Sequence, residues 1–345
     1  MKQPFENIGS VITAEELIEV AFSRASKVDI PLVRRGSGPR IRRSIVWVRR
    51  KENRRIKIVE ATITSRLSKI VRTMPRVIEI HPFYIDLVDV LVGVGKFKKS
   101  LGALNWAVKR IHSFSSAYSR RAGRASTIRE ASMIRREAYG RIASVLKQVS
   151  GDLIFLKEAG EKLDKLPTIN PDMITIVVAG YANVGKSTLV KQLSTAKPEI
   201  ATYPFTTKGV VVGHRDTENV RCQIIDTPGL LDRPLSERNT IELQAIAAIK
   251  HLADVIVFIF DPSETCGYLL NSQLNLFKEI IGQFQDVPVV NMLNKVDLAT
   301  GEQIELAKDA LSGDIIEGSA LKNQGVEDVF KETFDLASER RKHRK

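Results

Sequence analysis

Gly180, Gly185, Lys186 and Ser187 stand at the spacing G-x-x-x-x-G-K-S within the run Gly180-Tyr-Ala-Asn-Val-Gly-Lys-Ser-Thr188. That order of residue types suits one chemistry. Backbone N–H groups of a glycine-bearing loop wrap phosphate oxygens, a lysine reaches the outer phosphates, and a serine hydroxyl binds Mg²⁺. Gly180, Tyr181, Ala182, Asn183, Val184, Gly185, Lys186, Ser187 and Thr188 are therefore the expected phosphate-binding residues, with Lys186 and Ser187 facing the reacting phosphate and the metal. The loop follows the apolar run Ile174-Thr-Ile-Val-Val178 and opens a helix-like segment, whose N-terminal dipole favours anions. A glycine-rich turn matching by chance is the alternative, and the motifs that follow make it negligible.

The second is Ile224-Ile-Asp-Thr-Pro-Gly229, with its aspartate 40 residues after Lys186. Asp226, at the end of an apolar strand, can hold Mg²⁺ through water, and the Gly229 N–H can sense a γ-phosphate; Thr227 and Pro228 complete the turn. The third is Asn294-Lys-Val-Asp297. A carboxylate at Asp297 accepts two N–H bonds from guanine's N1 and N2 but would face an acceptor on adenine, so the tetrapeptide, Lys295 included, selects GTP and GDP over adenine nucleotides. Ser319-Ala320 completes the base site, with the Ala320 N–H facing O6. Between loop and aspartate, Ala201-Thr-Tyr-Pro-Phe-Thr-Thr-Lys-Gly209 offers Thr206 and Thr207 as a further Mg²⁺ ligand ordered by γ-phosphate; Thr207, which directly precedes the next strand, is the expected one.

The elements that must position these motifs are legible from periodicity. After the prolines of Lys165-Leu-Pro-Thr-Ile-Asn-Pro171, apolar runs at 174–178, 209–214, 220–225, 255–260, 288–293 and 315–317 alternate with helical segments. This predicts an α/β domain with a mainly parallel six-stranded sheet and helices on both faces. Every motif lies at a strand's C-terminal end, where ligands bind such sheets. Before the boundary the chain reads as an all-α bundle. A capping box at Thr13-Ala-Glu-Glu16 starts the first helix. Later helices are predicted over 58–73, from His81-Pro-Phe-Tyr84 to Val92, through Leu101 to Tyr118, and from about Ser126 to Leu163. The expected domains are 1–165, helical; 166–338, nucleotide-binding; and 339–345, a basic tail.

Charge divides the same way. Residues 1–170 carry 34 Lys and Arg against 16 Asp and Glu, whereas 171–338 carry 14 against 23. A basic half points to a polyanion, nucleic acid before an anionic membrane surface, with a merely solvated face as the bland alternative. The densest run comprises Arg34, Arg35, Arg40, Arg42, Arg43, Arg49, Arg50, Lys51, Arg54, Arg55 and Lys57 against the single acid Glu52, with Trp47 among them. Arginines give bidentate phosphate contacts and stack on bases, so this is the candidate RNA-contact segment. The two cysteines, Cys222 and Cys266, offer no disulfide framework, and the longest apolar runs, such as 255–260, are too short to span a bilayer.

A family resemblance follows from longer strings. Tyr203-Pro-Phe-Thr-Thr207 with Asp226-Thr-Pro-Gly-Leu230 resembles the Obg-like GTPases. The continuation to Glu242, then Ser263-Glu-Thr-Cys-Gly267, His81-Pro-Phe-Tyr84 and Leu166-Pro-Thr-Ile169, resembles the nucleolar GTP-binding protein (Nog) family, which assembles the large ribosomal subunit. The resemblance implies a GTP-hydrolysing switch whose helical half docks on large-subunit ribosomal RNA and pre-ribosomal particle proteins. It implies neither DNA nor membrane as partner, and a monomer when free. Nucleolar members continue well past their GTPase domain, whereas this sequence ends at Lys345, similar to archaeal members; a cytoplasmic location is expected. Many GTPases carry a water-orienting glutamine where this sequence has Leu230, so slow intrinsic hydrolysis is expected. In potassium-stimulated relatives an asparagine at the position of Asn183 helps hold K⁺; an asparagine chosen for turn geometry is an equal alternative. Two other roles stay open: an Obg-like regulator of translation or stress on mature ribosomes, and a membrane-surface switch.

Overall fold

The structure is a computed structural model that describes residues 3–6, 8–30, 45–201, 203, 209–217, 220–311 and 313–344. Arg34, Arg35, Arg40, Arg42, Arg43, Thr206 and Thr207 lie outside the described residues. The chain divides into two compact units, one of residues 5–77 and 92–164, the other of 78–91 and 165 onward together with the first four residues.

The first unit is helical: α1 (Ala14–Ser26), α2 (Ile45–Thr73), α4 (Val94–Arg124), α5 (Ile128–Gln148) and α6 (Ser150–Leu163). The Thr13 hydroxyl accepts from the Glu16 N–H while the Glu16 carboxylate accepts from the Thr13 N–H, which closes the expected capping box at α1. Helix α2 starts at Ile45 rather than 58, so the basic run 45–57 is its first half. Its buried stripe, Val48, Glu52, Ile56, Val59, Ile63, Leu67 and Ile70, keeps helical spacing throughout, and in the sequence the intervening arginines hide it. The long helix expected over 126–163 is two helices. Val149 leaves helical geometry at φ −103°, ψ 11°, and the Ser150 hydroxyl donates to the Lys147 carbonyl at 2.8 Å, a local competitor to the helical ladder. Helix α2 packs on α1, α4 and α5, and α6 packs on α4.

The second unit is a sheet of seven strands in the order β2-β3-β4-β1-β5-β6-β7: β1 (Ile174–Ala179), β2 (Glu199–Ala201), β3 (Val210–Asp216), β4 (Arg221–Asp226), β5 (Val255–Phe260), β6 (Val289–Leu293) and β7 (Ile315–Glu317). Pairing is parallel except that β3 is antiparallel to both β2 and β4. The strand not expected from sequence, β2, is a three-residue edge strand, too short to show alternation. Strands β1 and β5 are buried along their whole length, which is why they read as continuous apolar runs. Helices α7 (Lys186–Leu193), α8 (Thr240–Leu252), α9 (Leu270–Gln283), α10 (Gly301–Asp309) and α11 (Val326–Arg344) alternate with the strands, and α7 and α11 pack on each other and on the sheet.

Helix α3 (Pro82–Val92) groups with the sheet, not with the helices around it in sequence. Its Tyr84 hydroxyl donates to the Pro167 carbonyl at 3.1 Å or the Ile169 carbonyl at 2.8 Å, and burial pushes the phenol up to about 12. Phe83 stacks on Tyr203 with ring centroids 6.4 Å apart, and Asp86 meets His251 of α8 at 3.1 Å. Tyr203 is itself buried and donates to the Ala245 carbonyl at 2.9 Å. The expected helical segment 81–92 thus lies in the unit that carries the nucleotide motifs.

Candidate functional site

The loop after β1 is a sequence of backbone requirements. At Gly180, φ 133°, an added Cβ would lie 2.6 Å from the Ile259 carbonyl oxygen. At Gly185, φ 110°, it would lie 2.2 Å from the Asn294 amide nitrogen. Both positions therefore exclude a side chain. Asn183 sits in the left-handed region at φ 63°, which asparagine tolerates better than most residues. Lys186 opens α7 with its ammonium buried, donating to the carbonyls of Gly180 at 2.9 Å and Tyr181 at 2.7 Å. Those bonds fold the side chain back over the loop it serves.

At the end of β4, Asp226 accepts from the Ser187 hydroxyl at 2.6 Å through Oδ2. Its Oδ1 is buried and, among the described residues, has no hydrogen-bond partner. Burial raises the Asp226 carboxyl above its ordinary value, with Lys186 and Ser187 opposing. An anionic oxygen so placed beside a serine hydroxyl suits a divalent cation, so Ser187 and Asp226 fit Mg²⁺. Gly229, φ 82°, donates its N–H to Asp232 Oδ2 at 2.7 Å, and Arg238 donates to the Gly229 carbonyl. Leu230 is fully buried, so the side chain after Gly229 packs in the core, and the Leu231 carbonyl accepts the Gly180 N–H at 3.1 Å, tying this turn to the phosphate loop.

The residues expected at the base meet at the ends of β6 and β7. Asn294 donates to the Val184 carbonyl at 2.7 Å and accepts the Ala320 N–H at 2.7 Å, so one buried amide joins the phosphate loop to the Ser319-Ala320 turn. Lys295, φ 60°, donates to Asp261 at 2.7 Å and to the Thr265 hydroxyl at 3.0 Å. Burial opposes ionisation of Asp261, but bonds from Lys295, Ser263 and Thr265 hold its carboxyl below the usual range. Hydrogen bonds from Lys322 and Ser319 likewise hold Asp297 low, keeping it an acceptor.

Four contributors went unread in the sequence. Asp261 positions Lys295; the signal was an aspartate directly ending β5, just before the Ser263–Gly267 string. Tyr268 stacks on Tyr181 with centroids 4.1 Å apart, for which spacing gives no sign. Asp232 and Arg238 grip Gly229 from within a string that only the family resemblance singled out.

In the helical unit, the structure divides the candidate RNA-contact residues. Arg49 donates to the Ala125 carbonyl at 2.7 Å; Arg55 donates to Glu52 at 3.3 Å and to the Ser26 carbonyl at 3.4 Å; Trp47 donates to the Ile30 carbonyl at 3.3 Å, with Lys51 over its ring at 4.7 Å. Glu52, the lone acid of the run, is buried and also meets Arg135 at 2.6 Å. These groups hold helices together. Arg50 and Arg54 are exposed, and so are Lys57, Arg120 and Arg124, which line an open groove with Asn53 and Ser119.

A phosphate loop after the central strand, a metal-fitting Ser187 and Asp226, and an Asn-Lys-x-Asp base site on one mainly parallel sheet define a P-loop GTPase domain. Comparison with known proteins narrows the class. Residues 5–170 match the family model described as the NOG1 N-terminal helical domain, and residues 240–297 match that of nucleolar GTP-binding protein 1 (NOG1). An uncharacterized protein of Methanocaldococcus jannaschii is 40% identical over 88% of this chain and 83% of its own length. Nucleolar GTP-binding protein 1 of Drosophila melanogaster is 34% identical over 89% of this chain but 46% of its own length, so the chain spans about half of that relative. A crystal structure of a nucleolar GTP-binding protein 1 candidate from Plasmodium falciparum is 35% identical, with a TM-score of 0.45, over 52% of this chain and 93% of its own. The chain belongs to the nucleolar GTP-binding protein 1 family. No helix among the described residues is long and apolar enough to cross a membrane.

Proposed function

We propose that the protein is a cytoplasmic GTP-hydrolysing switch that grips large-subunit ribosomal RNA in pre-ribosomal particles through its basic helical unit and acts in assembly of the large subunit. The observation that carries this reading is the pairing, in one chain, of a guanine-nucleotide site with a helical unit whose exposed arginines flank an open groove. The relatives named for nucleolar GTP binding support it. Phosphate-rich RNA suits such a groove because each arginine can displace condensed counterions.

In catalysis, Mg²⁺ held by Ser187 and Asp226 would neutralise charge on the phosphates. Lys186 supplies a fixed positive charge at the outer phosphate, Gly229 offers its N–H there, and Asp297 with Asn294 fixes the base. Thr207 is the expected further metal ligand. Leu230 is buried and cannot orient water, so hydrolysis by the free protein is slow and is completed by the particle or by K⁺ near Asn183. Hydrolysis compared in K⁺ and Na⁺ tests the ionic version; equal rates would sink it, and the left-handed backbone would then be the whole reason for Asn183.

The reading as a whole is tested by filter binding to large-subunit RNA across a salt series, with anionic vesicles in parallel. Steeply salt-dependent RNA binding is expected. Binding to vesicles with no affinity for RNA would overturn it in favour of a membrane-surface switch.

A further inference from the structure

The peptide unit of Gly229 is held at both ends. Its N–H donates to Asp232 Oδ2 at 2.7 Å, and its carbonyl accepts from Arg238 Nη1. The two holders are themselves paired, Arg238 Nη2 to Asp232 Oδ1 at 3.3 Å. The Arg238 side chain is entirely inaccessible to solvent, while that of Asp232 is 17% exposed. Arg238 also donates to the Arg233 carbonyl at 3.4 Å and lies 4.0 Å from Glu242, which meets Arg233 at 2.7 Å and caps the start of α8. The arrangement is therefore anchored, because moving Arg238 would disturb the helix beginning at Thr240.

On the guanine-nucleotide reading of the site, the Gly229 N–H is the donor expected at the terminal phosphate. One N–H makes one good hydrogen bond, and a carboxylate and a phosphate oxygen are both anionic acceptors that would repel each other at the same hydrogen. Asp232 and the γ-phosphate therefore compete.

We infer that Asp232 is a specificity-determining residue for the terminal phosphate: its carboxylate occupies the Gly229 N–H when the nucleotide ends at the β-phosphate and, when a γ-phosphate enters, must give up that N–H and keep Arg238 as its partner. The competition lowers affinity for GTP and leaves affinity for GDP untouched, so it sets the balance between the two states of the switch. Arg238 gives the displaced carboxylate a partner, which makes the exchange reversible rather than a loss of a buried charge pair. The inference rests on the guanine-nucleotide reading of the site.

The test is the pair of dissociation constants for fluorescent GDP and a fluorescent non-hydrolysable GTP analogue, with Mg²⁺, in the wild-type chain, Asp232→Ala and Asp232→Asn. Asp232→Ala is expected to tighten the analogue by about tenfold or more, the worth of a charge-assisted hydrogen bond that is no longer contested, with GDP unchanged. Asp232→Asn, which keeps an acceptor but loses the charge, is expected to fall between. Equal changes for both nucleotides, or no change in their ratio, would overturn the inference. So would an Asn variant equal to Ala, since plain charge repulsion would then suffice. A wild-type chain that binds neither nucleotide would overturn the guanine-nucleotide reading itself, a distinct result. GDP affinity within error of wild type shows that each variant is folded.

Discussion

The phosphate end of the sheet and the basic side of the helical unit use charge in opposite ways. At the phosphate end of the sheet three charged motif residues are tethered one by one: Lys186 by two carbonyls, Lys295 by Asp261, and Asp226 by Ser187. In the helical unit the charges are many, and position in the sequence does not say which are for the fold and which for a partner. Arg49, Arg55 and Arg135 hold helices, whereas Arg50, Arg54, Arg120 and Arg124 face solvent. A motif fixes role by spacing because chemistry demands particular atoms at particular distances. A charge run fixes only a net field, and its members are sorted by which helical face they occupy.

The largest expected effect lies on the motif side. Asp297→Asn replaces one of two acceptors for guanine's N–H groups with a donor, and should weaken GTP and GDP binding on the order of 10²–10³-fold while admitting xanthosine nucleotides, whose C2 carbonyl accepts that donor. Fluorescent-nucleotide titration reads this directly. Retained guanine preference would remove Asp297 from the base site and blur the contrast with the helical unit.

The same comparison sharpens on the basic side when two sets of arginines are replaced in turn. Changing Arg50, Arg54, Arg120 and Arg124 to Ala should flatten the salt dependence of RNA binding by roughly 0.7–0.9 in log–log slope for each phosphate that is no longer neutralised, with thermal stability little changed. Arg55→Ala should instead cost about 1–3 kcal/mol of stability, since it strips a partner from buried Glu52, and should leave the slope largely intact. If both sets moved the slope equally, the division between structural and RNA-facing arginines would be wrong.

A smaller effect marks where α3 belongs. The Tyr84 phenol, ordinarily near 10 and here pushed up to about 12 by burial, keeps its proton in the folded state after the unfolded state has lost it. The folded-state value is raised, so its contribution is fully present below pH 10 and is lost as pH rises toward about 12, a loss of roughly 2–3 kcal/mol. Denaturant unfolding of Tyr84→Phe should lack that alkaline step relative to wild type, after an offset of about 1 kcal/mol at neutral pH for the missing hydrogen bond to the Pro167 or Ile169 carbonyl.

Much of the sheet unit was legible because its central strands β1 and β5 are buried along their whole length and read as continuous apolar runs. Six strands and the loop between β1 and α7 fall where spacing put them, whereas the Ala320 N–H expected at guanine O6 donates to Asn294. What escaped has physical causes. Strand β2 is too short for a period, Asp261 and Tyr268 act through contacts across loops, and the Asp232–Arg238 pair sits in a turn without periodicity. In the helical unit, the start of α2 was obscured by arginines between its buried positions, and the break at Val149 lies in an otherwise continuous helical pattern. The placement of α3 could not be read locally, since its apolar face says only that it packs, not against what.

The most direct measurement is co-sedimentation of the protein with immature and mature large-subunit particles, in GDP or a non-hydrolysable GTP analogue, across a salt series. Binding that is salt-sensitive, differs between the two nucleotides and favours immature particles is expected of a GTP-controlled assembly factor. Equal binding to both particles would point to a regulator of mature ribosomes, and binding indifferent to nucleotide would contradict coupling of the GTP site to the basic helical unit.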